Sequence, residues 1–315
     1  KMFGAYLTQD QVETMNQVVT SLKGINEDMA IYGEPWNMTT STTATLTTQA
    51  NLNQVPELAG FNDKIRDNIK GSYSSIGSEG WLQKAAPGAG MVSDLTNGFK
   101  GALNTTVVDP EKSLNYVSCH DNATLYDKIT HSGIAEADAP KVDVQAQTMI
   151  FTSQGIPFMQ AGEELMRIKR NPDDSVNQNS YNASDEVNSL KWDRKITYKD
   201  YYDKYVELIA LRKAHPIFRY STSAIASANY TPLTTIGETT LTGTTLAFRM
   251  TKDASISDRF SEIVVIHNGN NEGVTLSLTS GPYKVAYKSD SSDIVGSSVA
   301  SISLAKNVSI VLYKE

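Results

Sequence analysis

The sequence of 315 residues contains a single cysteine, Cys119, so it cannot form an intrachain disulfide. The apolar residues before Cys119 favour a buried thiol over a reactive one. None of the four histidines has a second histidine or cysteine at the spacing of metal ligands. We therefore expect no metal centre and no required cofactor. A Ca²⁺ ion on an acidic loop stays open, although no stretch has the ligand spacing of a known calcium loop.

Basic stripes, long apolar runs and nucleotide-binding motifs are also missing. The 28 Lys and Arg residues against 35 Asp and Glu give a net charge of -7, which argues against a nucleic-acid partner. No run is long enough to span a membrane. Neither a glycine-rich phosphate loop nor a Gly-x-Ser-x-Gly turn occurs, which excludes the common phosphate-binding and acyl-transfer sites. The composition fits a secreted or cell-surface bacterial protein, and a cytoplasmic one nearly as well.

The first two thirds of the sequence alternate between helical and strand patterns, which is typical of repeated β/α units. Helices are predicted over 8–26, with Thr8 as cap, and over 141–154 and 201–216. A helix can also begin at Asn122, a candidate cap, and extend over 122–132. Residues 62–72 are predicted to form a short charged turn or helix. Strands are predicted over 28–36, near 55–61, and over 113–121 and 155–164. The stretches 87–99 and 170–193 are predicted loops.

The pattern changes after residue 216. From there to residue 315 we find no convincing helix, and short strand-like runs recur between turn residues. This is typical of a small β-sandwich. We predict two domains, an α/β part over 1–216 and a β-sandwich over 217–315.

Polar residues follow three of the predicted strands. Glu34 and Trp36 end the first, His120 and Asp121 the second, and Glu163 with its neighbours the third. In a (β/α)8 barrel the catalytic groups lie at the carboxyl ends of the strands, so these residues could share one pocket. A carboxyl group beside an indole is a sensible general acid, because partial burial raises its pKa. Taken singly, however, Glu34 could be a surface acid and His120–Asp121 a buried polar pair.

Four stretches in this order, YGEPW, NYVSCHDN, FTSQGIPFMQAGEE and NSYNASDEVN, resemble type I pullulanases of the α-amylase superfamily. The resemblance extends over essentially the whole chain. It implies the second half of a (β/α)8 barrel, about strands 5 to 8, followed by a β-sandwich. It also implies a retaining glycoside hydrolase that cleaves α-1,6-glucosidic bonds in pullulan, amylopectin or related α-glucans.

The resemblance also assigns roles to individual residues. Glu34 matches the general acid/base of the family, and His120 with Asp121 matches the pair that holds sugar hydroxyls at the cleavage point. Trp36 matches an aromatic residue on the acceptor side. Asp185, and more weakly Asn188, match sugar-binding residues of a loop. Asn122 is counted with these substrate-binding residues, as a cap or a supporting polar group beside Asp121.

One part of the family pattern is missing. The nucleophile of the family is an aspartate in a Gly-Phe-Arg-Phe-Asp-like motif, and no such motif occurs here. The start of the sequence, KMFGAYLTQDQ, looks like the continuation of that motif, so we expect the nucleophile upstream of Lys1. Without the resemblance, Asp121 would have been paired with Glu34 as the nucleophile.

The missing half of the barrel would make the N-terminal part of the same enzyme a partner of this chain. Two alternatives remain open. One is a branching or transglycosylating enzyme of the same superfamily. The other is a glucan-binding fragment that is inactive without its N-terminal half, because half a barrel exposes two unpaired sheet edges.

Overall fold

The computed structural model describes residues 11–36, 46–103, 106–269, 272–278 and 283–315. Its first part contains a four-stranded parallel sheet in which the strands follow one another in sequence order. The four strands are β1 (Ile31–Gly33), β2 (Leu58–Phe61), β3 (Ser113–Asn115) and β4 (Ile156–Pro157). Consecutive parallel strands joined by helices are the arrangement of a (β/α)8 barrel. The predicted α/β fold class is confirmed.

Helices connect these strands and continue beyond them. They are α1 (Val12–Ile25), α2 (Asp63–Lys70), α3 (Ala89–Phe99), α4 (Leu125–His131), α5 (Ala139–Thr152), α6 (Asp185–Asn188), α7 (Arg194–Thr197), α8 (Lys199–Ala214) and α9 (Ser223–Asn229). None of the helices within the described ranges is long and apolar enough to cross a bilayer.

Several local predictions were wrong. Residues 87–99 contain α3 rather than a loop, because Leu95 and Phe99 gain burial that offsets the low helix propensity of the glycines. Thr124, not Asn122, caps the helix that follows β3: its hydroxyl accepts a hydrogen bond from the backbone N–H of Asp127. The predicted Thr8 cap lies outside the described residues. The short helix α9 contradicts the expectation of no helix after residue 216.

The second part is an antiparallel β structure. Its strands are β5 (Tyr230–Leu233), β6 (Thr235–Ile236), β7 (Thr239–Thr240), β8 (Thr245–Thr251), β9 (Glu262–Asn268), β10 (Val274–Ser277), β11 (Tyr283–Lys288), β12 (Ser298–Val299), β13 (Ser301–Leu304) and β14 (Val308–Lys314). A six-stranded sheet has the order β12-β11-β14-β9-β8-β5, β10 pairs with β13, and β6 pairs with β7. Leu276 and Ile302 of the small sheet share a core with Ile266 and Ile310 of the large one, as in a sandwich.

The other face of the six-stranded sheet packs against the helices of the first part. Phe248 and Val265 belong to the same buried cluster as Met149 of α5 and Leu208 of α8. Trp81, which is fully buried, also donates a hydrogen bond of 2.7 Å from Nε1 to the carbonyl oxygen of Gly243. The two parts therefore share one core. The division at residues 216 and 217 follows the end of α8 and stays a prediction.

Candidate active site

Glu34 follows directly on β1, in a turn whose shape depends on the neighbouring strand. A Cβ atom at Gly60 of β2 would lie 2.8 Å from Cγ of Pro35, so only glycine leaves room for this turn. The backbone N–H of Gln49 donates to the carbonyl oxygen of Pro35 at 3.2 Å and holds the turn from the other side. These contacts place the carboxyl group of Glu34, half-buried, at the carboxyl end of the parallel sheet.

His120 and Asp121 lie beyond β3, at the end of a buried segment. The predicted strand over 113–121 is ordered as β3 only to Asn115, and residues 116–119 continue buried without strand pairing. His120 and Asp121 are both exposed. Asn122 then turns the chain with a left-handed backbone, φ +62°, which asparagine adopts more readily than most residues.

The structure brings Glu34, His120 and Asp121 together. One nitrogen or oxygen atom from each side chain lies within 4.8 Å of the other two, and Nε2 of His120 is 3.4 Å from Oδ1 of Asp121. Burial raises the pKa of Glu34 above its ordinary value, the charge of Asp121 raises it further, and His120 opposes the shift. The site thus combines a carboxyl group that keeps its proton to higher pH with an exposed pair able to hold hydroxyl groups. The same three atoms could also approach one cation, although exposed acidic groups often do so without binding one.

Comparison with known proteins bears on this site. No family model matches the chain. The pullulanase of Bacillus subtilis strain 168 is 32% identical over 285 residues, which cover 88% of this chain and 37% of that protein. The chain is similar to part of a type I pullulanase.

Solved structures of pullulanases extend the likeness to nearly the whole fold. The Anoxybacillus pullulanase in complex with maltotetraose has a TM-score of 0.86 and 28% identity, covering 98% of this chain and 43% of that one. The Bacillus acidopullulyticus pullulanase has a TM-score of 0.84 and 32% identity, covering 96% of this chain and 36% of that one. This chain therefore spans less than half the length of the pullulanases it matches.

Trp36 and Cys119 of this pullulanase-like chain belong to one apolar cluster next to the site residues in sequence. The indole of Trp36 is partly buried against the cluster formed by Phe61, Leu114, Tyr116 and Cys119. Cys119 is buried as predicted, and burial raises the pKa of its thiol, which disfavours the nucleophilic thiolate. Trp36 is only partly buried, so a sugar ring could still reach it.

Asp185 and Asn188 lie on α6 and do not belong to the group formed by Glu34, His120 and Asp121. Asp185 is exposed in the first turn of this helix. The side-chain amide of Asn188 donates to the carbonyl oxygens of Ser180 at 2.7 Å and Ala183 at 3.1 Å, and thereby closes its own loop. The sugar-binding roles of both residues stay predictions.

The sequence did not indicate the buried residues that hold the backbone of His120 in place. The ammonium group of Lys169, which is buried, donates to the carbonyl oxygen of His120 at 3.0 Å. The carboxylate of Asp127 accepts from the backbone N–H of Lys169 at 2.6 Å and from Nε of Arg170 at 2.9 Å. The sequence offers only a charged cluster after the third strand end, which reads equally well as a solvated surface.

Proposed function

We propose that the protein carrying this chain hydrolyses α-1,6-glucosidic bonds in pullulan, amylopectin or related α-glucans, with retention of configuration. One observation supports this most strongly. A half-buried glutamate with a raised pKa, Glu34, stands beside the exposed pair His120 and Asp121 at the carboxyl end of a parallel sheet. A general acid beside hydroxyl-binding groups is what glycoside hydrolysis requires.

Glu34 would act twice in this reaction. It first donates its proton to the leaving glycosidic oxygen, while an aspartate attacks the anomeric carbon and forms a glycosyl–enzyme bond. Glu34, now ionised, then takes a proton from water, and the hydroxide formed releases the sugar with retained configuration. The attacking aspartate belongs to the part of the enzyme outside these 315 residues.

The remaining site residues would hold the substrate. His120 and Asp121 bind hydroxyl groups of the sugar at the cleavage point, and such contacts contribute to rate when they strengthen in the transition state. Trp36, which is partly buried, would contact the acceptor side. Asp185 and Asn188 would contribute from the loop around α6, with Asn188 acting mainly through the loop geometry that it fixes.

The named relatives favour this substrate class. The matched proteins are pullulanases, and one of them was crystallised with maltotetraose. A branching enzyme would use the same acid and nucleophile but would pass the glycosyl group to another glucan. Product analysis separates the two reactions, because hydrolysis releases reducing ends and branching creates new α-1,6 links.

The test is Glu34→Gln in the enzyme that carries this chain together with its nucleophile. Loss of the general acid should lower kcat on pullulan by about 10²-fold or more. The matched control is Glu238→Gln, since Glu238 is an exposed glutamate of the β structure, outside the site. A Glu34→Gln variant that folds and keeps pullulan cleavage within about threefold of the wild type would overturn the proposal, given the size expected for a general acid.

A further inference from the structure

A buried row of polar side chains lies behind the segment that carries His120 and Asp121. We call it the Asp143–Glu163 network; its members are Tyr205, Asp143, Gln147, Glu163 and Ser118, all buried. The hydroxyl of Tyr205 donates to Oδ1 of Asp143, and the hydroxyl of Ser118 donates to Oε1 of Glu163. Between them, Nε2 of Gln147 donates to Oε2 of Glu163 at 2.8 Å. Ser118 precedes His120 by two residues.

Two acceptor atoms interrupt this network. Oδ2 of Asp143 and Oε1 of Gln147 are buried and have no hydrogen-bond partner within the described part of the chain. The two residues are four apart on α5 and therefore point from the same helix face. An ionised Asp143 would leave two buried acceptors unsatisfied on one helix face, which is costly. A single proton on Oδ2 of Asp143 satisfies both atoms, because the hydroxyl can donate to Oε1 of Gln147.

The contacts of Glu163 indicate which carboxyl group holds the proton. Glu163 accepts from Ser118, from Gln147 and, at 2.9 Å, from the backbone N–H of Gln160. Three donors directed at one carboxyl group favour its ionised form. Among the described residues, Tyr205 alone donates to Asp143. Two neighbouring buried carboxyl groups do not readily ionise together, so the proton falls to Asp143.

Burial and neighbouring charges raise the pKa of both carboxyl groups. Burial raises the pKa of Asp143 to about 8, with Glu164 raising it and Tyr205 and Arg194 lowering it. Burial also raises the pKa of Glu163 to about 8; the charge of Asp143 raises it too, and Lys70 lowers it. With Asp143 neutral, one cause of the shift at Glu163 disappears.

We infer that Asp143 is protonated in the folded protein and donates to Gln147, which completes a row of hydrogen bonds from Tyr205 to Ser118. This row positions the segment that carries His120 and Asp121. Only the positioning step rests on the proposed function; the protonation of Asp143 does not.

The protonation is tested by thermal unfolding at pH 7 of Asp143→Asn, Glu163→Gln and Asp127→Asn. Each change replaces one carboxyl oxygen by an amide nitrogen. Asp143→Asn keeps a donor toward Gln147 and loses no buried partner, so at pH 7 its Tm should be no lower than that of the wild type. Glu163→Gln turns an acceptor into a donor facing other donors. Asp127→Asn, the matched control, breaks a buried ion pair with Arg170. Both should lower the Tm by about 6 °C or more.

The pH dependence gives a second, independent readout. A folded-state pKa of Asp143 that is raised to about 8, above the unfolded value, means that the folded protein loses stability as pH rises from about 4 to about 8. The Asn side chain does not titrate. The Tm of Asp143→Asn relative to the wild type should therefore increase steadily from pH 5 to about pH 8.

The positioning step is tested by kinetics on pullulan. Asp143→Ala interrupts the row, and should lower kcat by about 10-fold or more with KM nearly unchanged, while Asp143→Asn restores kcat. Two results would overturn the inference and place the proton elsewhere. One is a fall in the Tm of Asp143→Asn as large as that of Asp127→Asn. The other is an unchanged Tm for Glu163→Gln together with a lowered Tm for Asp143→Asn. Equal kcat values for Asp143→Ala and the wild type would overturn the positioning step. An inactive wild type would instead refute the proposed function and leave the stability results intact.

Discussion

Trp81 joins the two parts of the fold, and its removal has a calculable cost. The ring is fully buried, and Nε1 donates to the carbonyl oxygen of Gly243 at 2.7 Å. Trp81→Phe keeps most of the apolar contact and leaves that carbonyl oxygen without its donor. Leaving a buried polar group unsatisfied costs about 1–3 kcal/mol, and the smaller ring adds a cavity. We expect the free energy of unfolding to fall by about 2–4 kcal/mol.

Gly269 contacts the same Trp81 ring, so the effects of changing the two residues should depend on each other. A Cβ atom there would lie 2.9 Å from the Trp81 ring and 3.0 Å from the carbonyl oxygen of Thr244. Gly269→Ala should cost about 1–3 kcal/mol in the wild type. In the Trp81→Phe background the same change should cost less, because phenylalanine lacks the ring atoms that the new methyl group meets.

The assay is urea unfolding followed by far-UV circular dichroism on the wild type, both single variants and the double variant. Trp192→Phe is the matched control, because Trp192 is 65% exposed, and it should change stability by no more than about 0.5 kcal/mol. Equal stability of Trp81→Phe and Trp192→Phe would refute the assigned contact. Costs that add to within about 0.5 kcal/mol would refute the coupling with Gly269.

Four further predictions concern the site and one glycine. Catalysis needs Glu34 protonated, and the charge of Asp121 raises the pKa of Glu34. Asp121→Asn removes that charge and should therefore move the alkaline limb of the kcat/KM profile to lower pH. An unchanged limb would contradict this cause of the pKa shift. His120→Gln should move that limb to higher pH, since His120 lowers the same pKa. Added Zn²⁺ should inhibit pullulan cleavage and EDTA should restore it, because Glu34 cannot donate a proton while it binds a cation; inhibition that EDTA does not reverse would argue against binding at these residues. Gly71→Ala should lower the Tm by about 4 °C or more, because Gly71 has φ +92° and a Cβ would collide with the backbone of Ser78. The control Gly77→Ala, where a Cβ meets no described atom within 4 Å, should leave the Tm unchanged. Equal Tm values for the two variants would contradict this prediction.

The sequence predicted the parts of the site that depend on strand ends. Glu34, His120 and Asp121 each follow a short apolar run, and parallel strands bring their carboxyl ends to one edge of the sheet. The strand lengths were overestimated, since residues 116–119 are buried without strand pairing. Apolar residues record burial, and burial alone does not distinguish a paired strand from a buried extended segment.

Other features depend on contacts between distant residues and could not be read locally. The glycines of α3 favour a loop by propensity, but packing of Leu95 and Phe99 stabilises a helix. Lys169 resembles a surface lysine in the sequence, and only the fold shows its ammonium group at the carbonyl oxygen of His120. The same holds for Asp143, which in the sequence is one polar position of a mostly apolar helix.

The central claim is that Glu34 is the acid/base and that the nucleophile lies elsewhere. Glu34→Ala with azide and an α-glucosyl substrate that has a good leaving group tests it directly, because such a substrate needs no general acid to form the glycosyl–enzyme intermediate. Azide should then accelerate turnover and yield the α-glycosyl azide, since it enters from the face that water uses after one inversion. A β-glycosyl azide would show that Glu34 is itself the nucleophile, and that result would contradict the account.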